Sequence, residues 1–199
     1  MPHENAFAGL DRAKDYRLAQ FNRPCFTQAE LVIAVGLPEK TLQNYFARYE
    51  KEMHLSAPAP GKGQRRLYSA GDAVLLAAMK AVAGFGLAPL AAVLFGNHVR
   101  AWAIIKAPLH YEAGFVGLPT QFFGFCARSE QNQSELMVQG GTYEEIRTWA
   151  EEYGHQAILI IDGKRVAQDV TSKLWARYEL VRIEKPEDWE KARFKPAEE

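Results

Sequence analysis

The stretch FTQAELVIAVGLPEKTLQNYFARYEK, residues 26–51, predicts two helices separated by a tight turn. Thr27 at the N-cap and Glu30 at the third helical position match the capping box with which many helices begin. The apolar side chains that follow recur at spacings of three and four residues, as one buried helical face requires. Gly36 comes next, and glycine is the usual residue just past a helix end. The chain is therefore expected to form a short helix that stops at Gly36.

A second helix is predicted directly afterwards, because Pro38 suits the first turn of a helix. Its apolar face consists of Leu42, Tyr45, Phe46 and Tyr49, which leaves Lys40, Gln43, Asn44, Ala47 and Arg48 on the remaining faces. Two short helices joined by a glycine turn are typical of the helix-turn-helix unit, whose second helix offers polar side chains to the major groove of DNA. Helical hairpins also occur in many all-α domains, so this pattern alone leaves DNA binding open.

Basic and glycine-rich residues follow in HLSAPAPGKGQRRLYS, residues 54–69. Pro58 and Pro60 disfavour helix, and the glycines permit a turn before an extended, alternating stretch over 65–68. This pattern predicts a short β-ribbon, a wing beside the second helix. The GKG within it lacks both the preceding apolar strand and the Gly-Lys-Ser/Thr sequence of a phosphate-binding loop, so a nucleotide site is not expected.

The next helix is predicted to begin at Ser69, because Ser69 and Asp72 form another capping box. Its core positions are expected to be Val74, Leu75, Ala78, Met79 and Val82, with Gly84 or Gly86 at its end. A further apolar helix is then predicted, with Leu90, Val93 and Leu94 packed and Gly96 as an end or a bend.

Charge is distributed unevenly along a chain whose formal net charge is zero. Residues 1–98 hold 11 Lys and Arg against 8 Asp and Glu, whereas residues 99–199 hold 13 against 16. Between Lys40 and Arg66 the count is 6 basic to 2 acidic residues. Affinity for a polyanion depends on where the cations lie, because each neutralised phosphate releases counterions. The segment 40–66 is therefore the candidate DNA contact.

Length and composition are those of a protein that folds without disulfides or a structural metal ion. The 199 residues are 48% apolar and 24% charged, which suits two small globular domains. No run of about 18 apolar residues and no secretory signal is present, so we expect a cytoplasmic protein without membrane contact. Cys25 and Cys126 are far apart and have no CxxC or CxxH neighbour, which favours small buried side chains over a disulfide or a metal site.

The ordered series FTQAELVIAVGLPEKTLQNYF, RLYS, an acid at the next helix start and GFGLAPLAAVL resembles the N-terminal DNA-binding domain of the MerR family of winged helix-turn-helix regulators. Family sequences run from a short first helix through a threonine-led recognition helix with tyrosine, an Arg-x-Tyr-Ser/Thr wing strand and a Gly-Phe-like break before a fourth helix. The likeness covers about residues 26–96, nearly half of the chain.

The resemblance implies that Thr41 and Tyr45 approach DNA from the recognition helix and that Arg66 and Tyr68 lie on the wing. Gln43 stands where the family usually has arginine, so the preferred DNA site does not carry over. Glutamine still suits adenine in the major groove. The stretch EKEMHLSAPAPGKG also lacks the family's Gly-Leu-Leu-x-Pro connection, which leaves the path of the wing undetermined.

The second half predicts a small α+β domain in place of the family's long dimerising helix. TQFFGFCA and SELMVQ are predicted strands, a capped helix begins near Thr142, and QAILIID is a buried strand. For DGKRVAQDVTSKLWARY the Asp-Gly pair favours a hairpin, but the four-residue spacing of its apolar positions favours a helix, which we prefer.

The predicted fold class is mainly α with a small β component, a winged helix-turn-helix followed by a small α+β domain. The predicted boundaries are a 1–25 extension with a weak helix over 11–20, a 26–98 DNA-binding domain, a 99–119 linker, a 120–185 α+β domain and a 186–199 tail.

No enzymatic site is expected. Glu144, Glu145, Glu151 and Glu152 are typical of a solvated helix face, and the five histidines lack metal-ligand spacing. The aromatic residues Phe122, Phe123, Phe125, Trp149 and Tyr153 favour a core over a ligand pocket. No cofactor is predicted, and nothing supports a small-molecule effector. Pairing of two copies through AILIID and the helix after it is the preferred use of this half.

The sequence therefore predicts a dimeric, sequence-specific DNA-binding protein, most simply a transcriptional regulator. An excisionase-like or packaging protein of phage type is one alternative, and a protein-interaction module whose winged helix no longer binds DNA is another. The predicted DNA-binding residues are Lys40, Thr41, Gln43, Asn44, Tyr45, Arg48, Lys62, Arg65, Arg66 and Tyr68.

Overall fold

The computed structural model describes residues 21–57, 65–110, 121–130, 133–154 and 157–175. The predicted helix over 11–20, Lys62 at the predicted wing tip and the 186–199 tail lie outside these ranges. The fold is mainly helical with one small sheet, as predicted. In chain order its elements are α1 (Gln28–Val35), α2 (Glu39–Met53), α3 (Ala70–Ala83), α4 (Pro89–His110), β1 (Phe122–Glu130), β2 (Gln133–Gly141), α5 (Tyr143–Glu152), β3 (Leu159–Asp162) and α6 (Gly163–Trp175).

The first helix, α1, begins and ends as its sequence predicts. The Thr27 hydroxyl accepts from the Glu30 backbone N–H at 3.4 Å, and the Glu30 carboxylate accepts from the Thr27 N–H at 2.7 Å. Gly36 closes the helix with φ +68°, a left-handed angle that favours glycine. Lys80 of α3 donates to the Val35 carbonyl at 2.9 Å, so the end of α1 is tied to the core helix behind it.

The second helix, α2, buries one side and exposes the other. Leu42 and Met53 are buried, and Tyr45, Phe46 and Tyr49 pack against the core from partly exposed positions. Pro38 lies at the N-cap, one position before the helical turn for which it was predicted. The backbone leaves helical geometry at Tyr49 (φ −130°, ψ 18°), so the last turn is kinked relative to the rest of α2.

The helices α3 and α4 form the centre of the core, but α4 departs from its prediction. Gly96 is not a helix end, because α4 continues to His110. A Cβ at Gly96 would lie 2.8 Å from the Leu75 carbonyl oxygen, so glycine here permits close contact between the two helices. Residues 99–110, predicted as the start of a linker, are therefore helix. Of the three predicted core positions only Val93 is buried, since Leu90 is 45% and Leu94 41% exposed.

The sheet has the order β2-β1-β3 with both pairs antiparallel, and its strands lie where the sequence predicts them. Successive strand residues face opposite sides. Phe123 and Phe125 stand against Phe95 of α4, with ring centroids 6.1 and 6.0 Å apart. On the other side, a Cβ at Gly124 would collide with Ile146 of α5, so that helix lies directly on the sheet.

Helix α6 joins the two predicted domains into one core. The helical interpretation of this segment is confirmed, and the hairpin interpretation is wrong. Ala167, Val170 and Leu174 are buried and belong to the same cluster as the α3 and α4 side chains. The described halves therefore share one hydrophobic core. Among the described residues, no helix is both long and apolar enough to cross a membrane.

Candidate nucleic-acid interface

The solvent side of α2 carries a set of exposed polar side chains. Lys40, Asn44 and Arg48 are all exposed and lie four residues apart, which places them along one helical face. No side-chain hydrogen bond or ion pair joins any of these three to another described residue. Gln43 is exposed beside them. We refer to Lys40, Gln43, Asn44 and Arg48 as the α2 face.

Two further predicted residues lie at the margin of this surface. Thr41 and Tyr45 are only partly exposed. The Tyr45 ring packs 6.5 Å from that of Tyr49 and against the core cluster. Its hydroxyl is the one polar group of the side chain, and so the group able to hydrogen-bond a ligand.

A polar cluster joins the start of α2 to α1. The carboxylate oxygen Oε1 of Glu39 accepts from the side-chain amide of Gln43 at 3.2 Å and from that of Gln28 in α1 at 3.3 Å. All three side chains lie at the surface. The sequence interpretation did not include Glu39 or Gln28, although an acid in the first helical turn is a signal of a helix start.

Arg66 is not an exposed wing residue, which corrects its prediction. Its side chain is only 12% exposed, and its guanidinium bonds the Glu50 carboxylate at 2.6 Å and the Ala57 carbonyl at 3.1 Å. These contacts connect the 65–68 segment to the last part of α2. The guanidinium would have to give them up to bind a phosphate.

Tyr68 belongs to the core, which corrects its prediction as well. It is 2% exposed, and its ring stacks on Phe46 of α2 with centroids 5.2 Å apart. Burial raises the pKa of its hydroxyl, an effect that the nearby Arg66 only partly offsets. Tyr68 therefore positions α2 from behind and is not a surface contact.

The 65–68 segment, predicted as one arm of a β-ribbon, pairs at Tyr68 with the residues just before α1. The Tyr68 N–H donates to the Phe26 carbonyl at 2.8 Å, and the Tyr68 carbonyl accepts from the N–H groups of Phe26 and Cys25, each at 2.9 Å. This bridge fixes the residues just before α1 against those just before α3. Arg65 is exposed nearby, as predicted, and the other arm of the predicted ribbon includes residues outside the described part.

The C-terminal end of α2 is held by α4. The Asn97 side-chain amide donates to the Glu52 carbonyl at 2.6 Å, and the Arg100 guanidinium donates to the carbonyls of Met53 and His54. Such carbonyls lack partners inside their own helix. The unpaired carbonyls at the C-terminal end of α2 thus receive hydrogen bonds from side chains of α4, which holds this end of the helix in place.

Arg100 also reaches a buried polar cluster behind α2. Its guanidinium lies 3.5 Å from the Asp72 carboxylate and donates to the Ser56 hydroxyl at 2.9 Å. Asp72 is fully buried and accepts from the backbone N–H groups of Ser69 and Ser56, at 2.9 and 3.0 Å. Burial lowers the pKa of Arg100, and the Asp72 carboxylate opposes that shift. The capping box predicted at Ser69 is thus confirmed and forms part of a larger network.

The two cysteines and several of the aromatic residues considered in the sequence lie in the described part of the chain. Burial raises the pKa of the Cys25 thiol to about 12, and it raises that of Cys126 as well, so both stay protonated at neutral pH. No group of three His, Cys, Asp or Glu side chains in the described part is placed to hold a metal ion. Phe123 and Phe125 are core residues, as preferred, whereas Tyr153 is exposed.

The chain matches no protein family, and no curated protein is similar to it in sequence.

Proposed function

We propose that the protein binds double-stranded DNA through the α2 face and acts as a dimeric transcriptional regulator, with α1 and α2 as a MerR-like helix-turn-helix. The observation that carries the proposal is the α2 face itself. Lys40 and Arg48 are cations with no partner among the described residues, and Gln43 and Asn44 are amides able to read base edges. The combination suits an anionic ligand that also presents hydrogen-bonding edges.

The cations of α2 are concentrated on one face, although the helix as a whole is neutral. Its sequence holds three acids and three bases, so the helix as a whole is neutral. One of the acids, Glu50, is paired with Arg66, whereas neither Lys40 nor Arg48 forms an ion pair with another residue that the structure describes. Cations gathered on one face can neutralise phosphates even when the protein carries no net charge.

The rear attachment of α2 supports the same proposal. Tyr68 stacks behind the helix, and Asn97 and Arg100 bind its C-terminal carbonyls. A recognition element must keep its side chains in register with base pairs, which a rigidly held helix does better than a loose one. The fold thus holds α2 from its apolar side and leaves the polar side free.

Dimer formation remains part of the proposal, with β3 as the expected contact. β3 is an edge strand, and β1 is its sole ladder partner among the described residues. An unpaired strand edge is a ready site for pairing with a second chain. Helix α6 uses its apolar face inside the core, so we assign the contact to the strand alone.

The test is a salt titration of DNA binding with the double variant Lys40→Ala/Arg48→Ala. Each lost phosphate contact reduces the slope of log affinity against log salt by about 0.9, so a decrease of about two is expected. Fluorescence anisotropy with labelled genomic fragments provides the measurement. The matched control is Arg165→Ala/Lys173→Ala, which removes two exposed cations from α6 and leaves the α2 face intact.

Equal slopes for the wild type and the α2 variant would contradict the proposed face, and equal losses in both variants would indicate a general effect of charge. Wild-type protein that retains no duplex would favour the protein-interaction alternative. An excisionase-like or packaging role shares the same DNA surface. Footprints on recombination or packaging sites, instead of promoters, would indicate that role.

A further inference from the structure

The hydrogen bonds among Gln28, Glu39 and Gln43 show which donor and acceptor groups of these side chains remain available to a ligand. A carboxylate only accepts hydrogen bonds, so both glutamines must turn their NH₂ groups towards Glu39 Oε1. Gln43 then keeps one N–H and its carbonyl oxygen for another partner. Glu39 keeps its second oxygen, Oε2, which accepts no hydrogen bond from a described residue.

These remaining groups match two different bases. The free N–H and carbonyl of Gln43 complement the N7 acceptor and the N6 donor of adenine in the major groove. The free Glu39 oxygen can only accept, and cytosine offers its N4 amino group beside a C5–H. Guanine and thymine present acceptors there, which would leave a carboxylate desolvated without a partner. Adenine offers a donor too, but its neighbouring N7 repels a carboxylate.

We infer that Glu39 and Gln43 form a preassembled base-reading pair, Gln43 for adenine and Glu39 for a neighbouring cytosine. The inference rests on the DNA-binding function proposed above and specifies the class of half-site that the protein selects. Gln28 is a positioning residue, because its bond from α1 restrains the Glu39 side chain before DNA arrives. Such restraint lowers the entropy cost of binding.

The carboxylate has a second effect on binding. Glu39 lies next to Lys40 on the helix that would enter the groove, so its negative charge opposes phosphate contacts of every sequence. Only a partner that donates a hydrogen bond to Glu39 compensates for this repulsion. Glu39 therefore increases discrimination between sites and decreases affinity for random DNA.

Sequencing of the duplexes retained from a random pool tests the inference. For the wild type we expect one position enriched in cytosine next to adenine. Glu39→Gln should reduce the cytosine enrichment about tenfold, as the loss of one base contact implies, and should strengthen binding to random duplex. Glu39→Asp keeps the charge on a shorter side chain, so it should lose the cytosine preference without that gain.

The matched control is Glu52→Gln, which removes the same charge from an exposed carboxylate near the other end of α2 and should keep the wild-type motif. A motif that survives Glu39→Gln, or that is lost equally in Glu52→Gln, overturns the inference and leaves DNA binding standing. A wild-type motif without cytosine does the same. Failure of the wild-type protein to retain any duplex overturns the proposed function, and the inference with it.

Discussion

The two ends of α2 use similar side chains in opposite ways. Over its first turns Lys40, Asn44 and Arg48 lie exposed, and their side chains bind no other residue in the described part of the chain. At its last turn Glu50 is bound by Arg66, and the terminal carbonyls are bound by Asn97 and Arg100. The kink at Tyr49 lies between the two parts. One end is thus available for a ligand, and the other is part of the internal framework.

The three arginines in and around α2 differ in the same way, in exposure and in internal partners. Arg48 is exposed, whereas Arg66 and Arg100 are 12% and 11% exposed and bind acids and carbonyls of the protein itself. An arginine near a helix that is proposed to bind DNA is therefore no sufficient sign of a DNA contact. Its role depends on whether the fold already occupies its guanidinium.

The largest effect is expected where the framework is most buried. Asp72→Ala leaves Arg100 without its carboxylate and removes the half of the α3 capping box in which the Ser69 N–H donates to Asp72. Removing one partner of a buried ion pair costs about 3 kcal/mol or more, so the free energy of unfolding should decrease by at least that amount. Urea denaturation followed by circular dichroism measures it. Asp169→Ala, at an exposed carboxylate, should change it by less than about 0.5 kcal/mol. Similar values for the two variants would show that the framework is not as interdependent as its geometry indicates.

Effects of intermediate size are expected from two arginine variants, one at each end of α2, whose stability and DNA binding should change in opposite ways. Arg66→Ala should lower the free energy of unfolding by about 2 kcal/mol, because charged hydrogen bonds to Glu50 and Ala57 are lost, and should leave the salt dependence of DNA binding unchanged. Arg48→Ala should do the reverse, with unchanged stability and a salt slope reduced by about one. Denaturation and anisotropy on the same preparations measure both. A reduced slope for Arg66→Ala would return Arg66 to the interface.

The smallest effect is expected from freeing Arg66. Glu50→Ala removes its partner, so stability should decrease by about 1 kcal/mol while Arg66 becomes able to bind a phosphate. The slope of log affinity against log salt should then increase by up to about one. Glu52→Ala removes an equal charge from a neighbouring exposed position and serves as the control. An increase of the same size in both variants would assign the change to the lost negative charge, with no part for Arg66.

Elements whose signals are local could be predicted well. The helix starts at Thr27, Ser69 and Thr142 are confirmed, because each capping box is made within three residues of chain. Apolar spacing was less informative for α4, since it does not say which apolar side is covered, and Leu90 and Leu94 lie on the open side. The exposed residues of the α2 face were predicted from helical period alone, and the structure places them as expected. Glu39 was overlooked because an acid at a helix start has an ordinary structural explanation.

The sequence by itself determined where most helices and strands lie, the periodic division of α2 into apolar and polar faces and the caps that begin three of the helices. Only the tertiary structure decided which cations remain available and that both halves share one core. The physical reason is distance along the chain. Arg66 meets Glu50 across 16 residues and Arg100 meets Ser56 across 44, and such contacts depend on how helices pack, which no local pattern encodes.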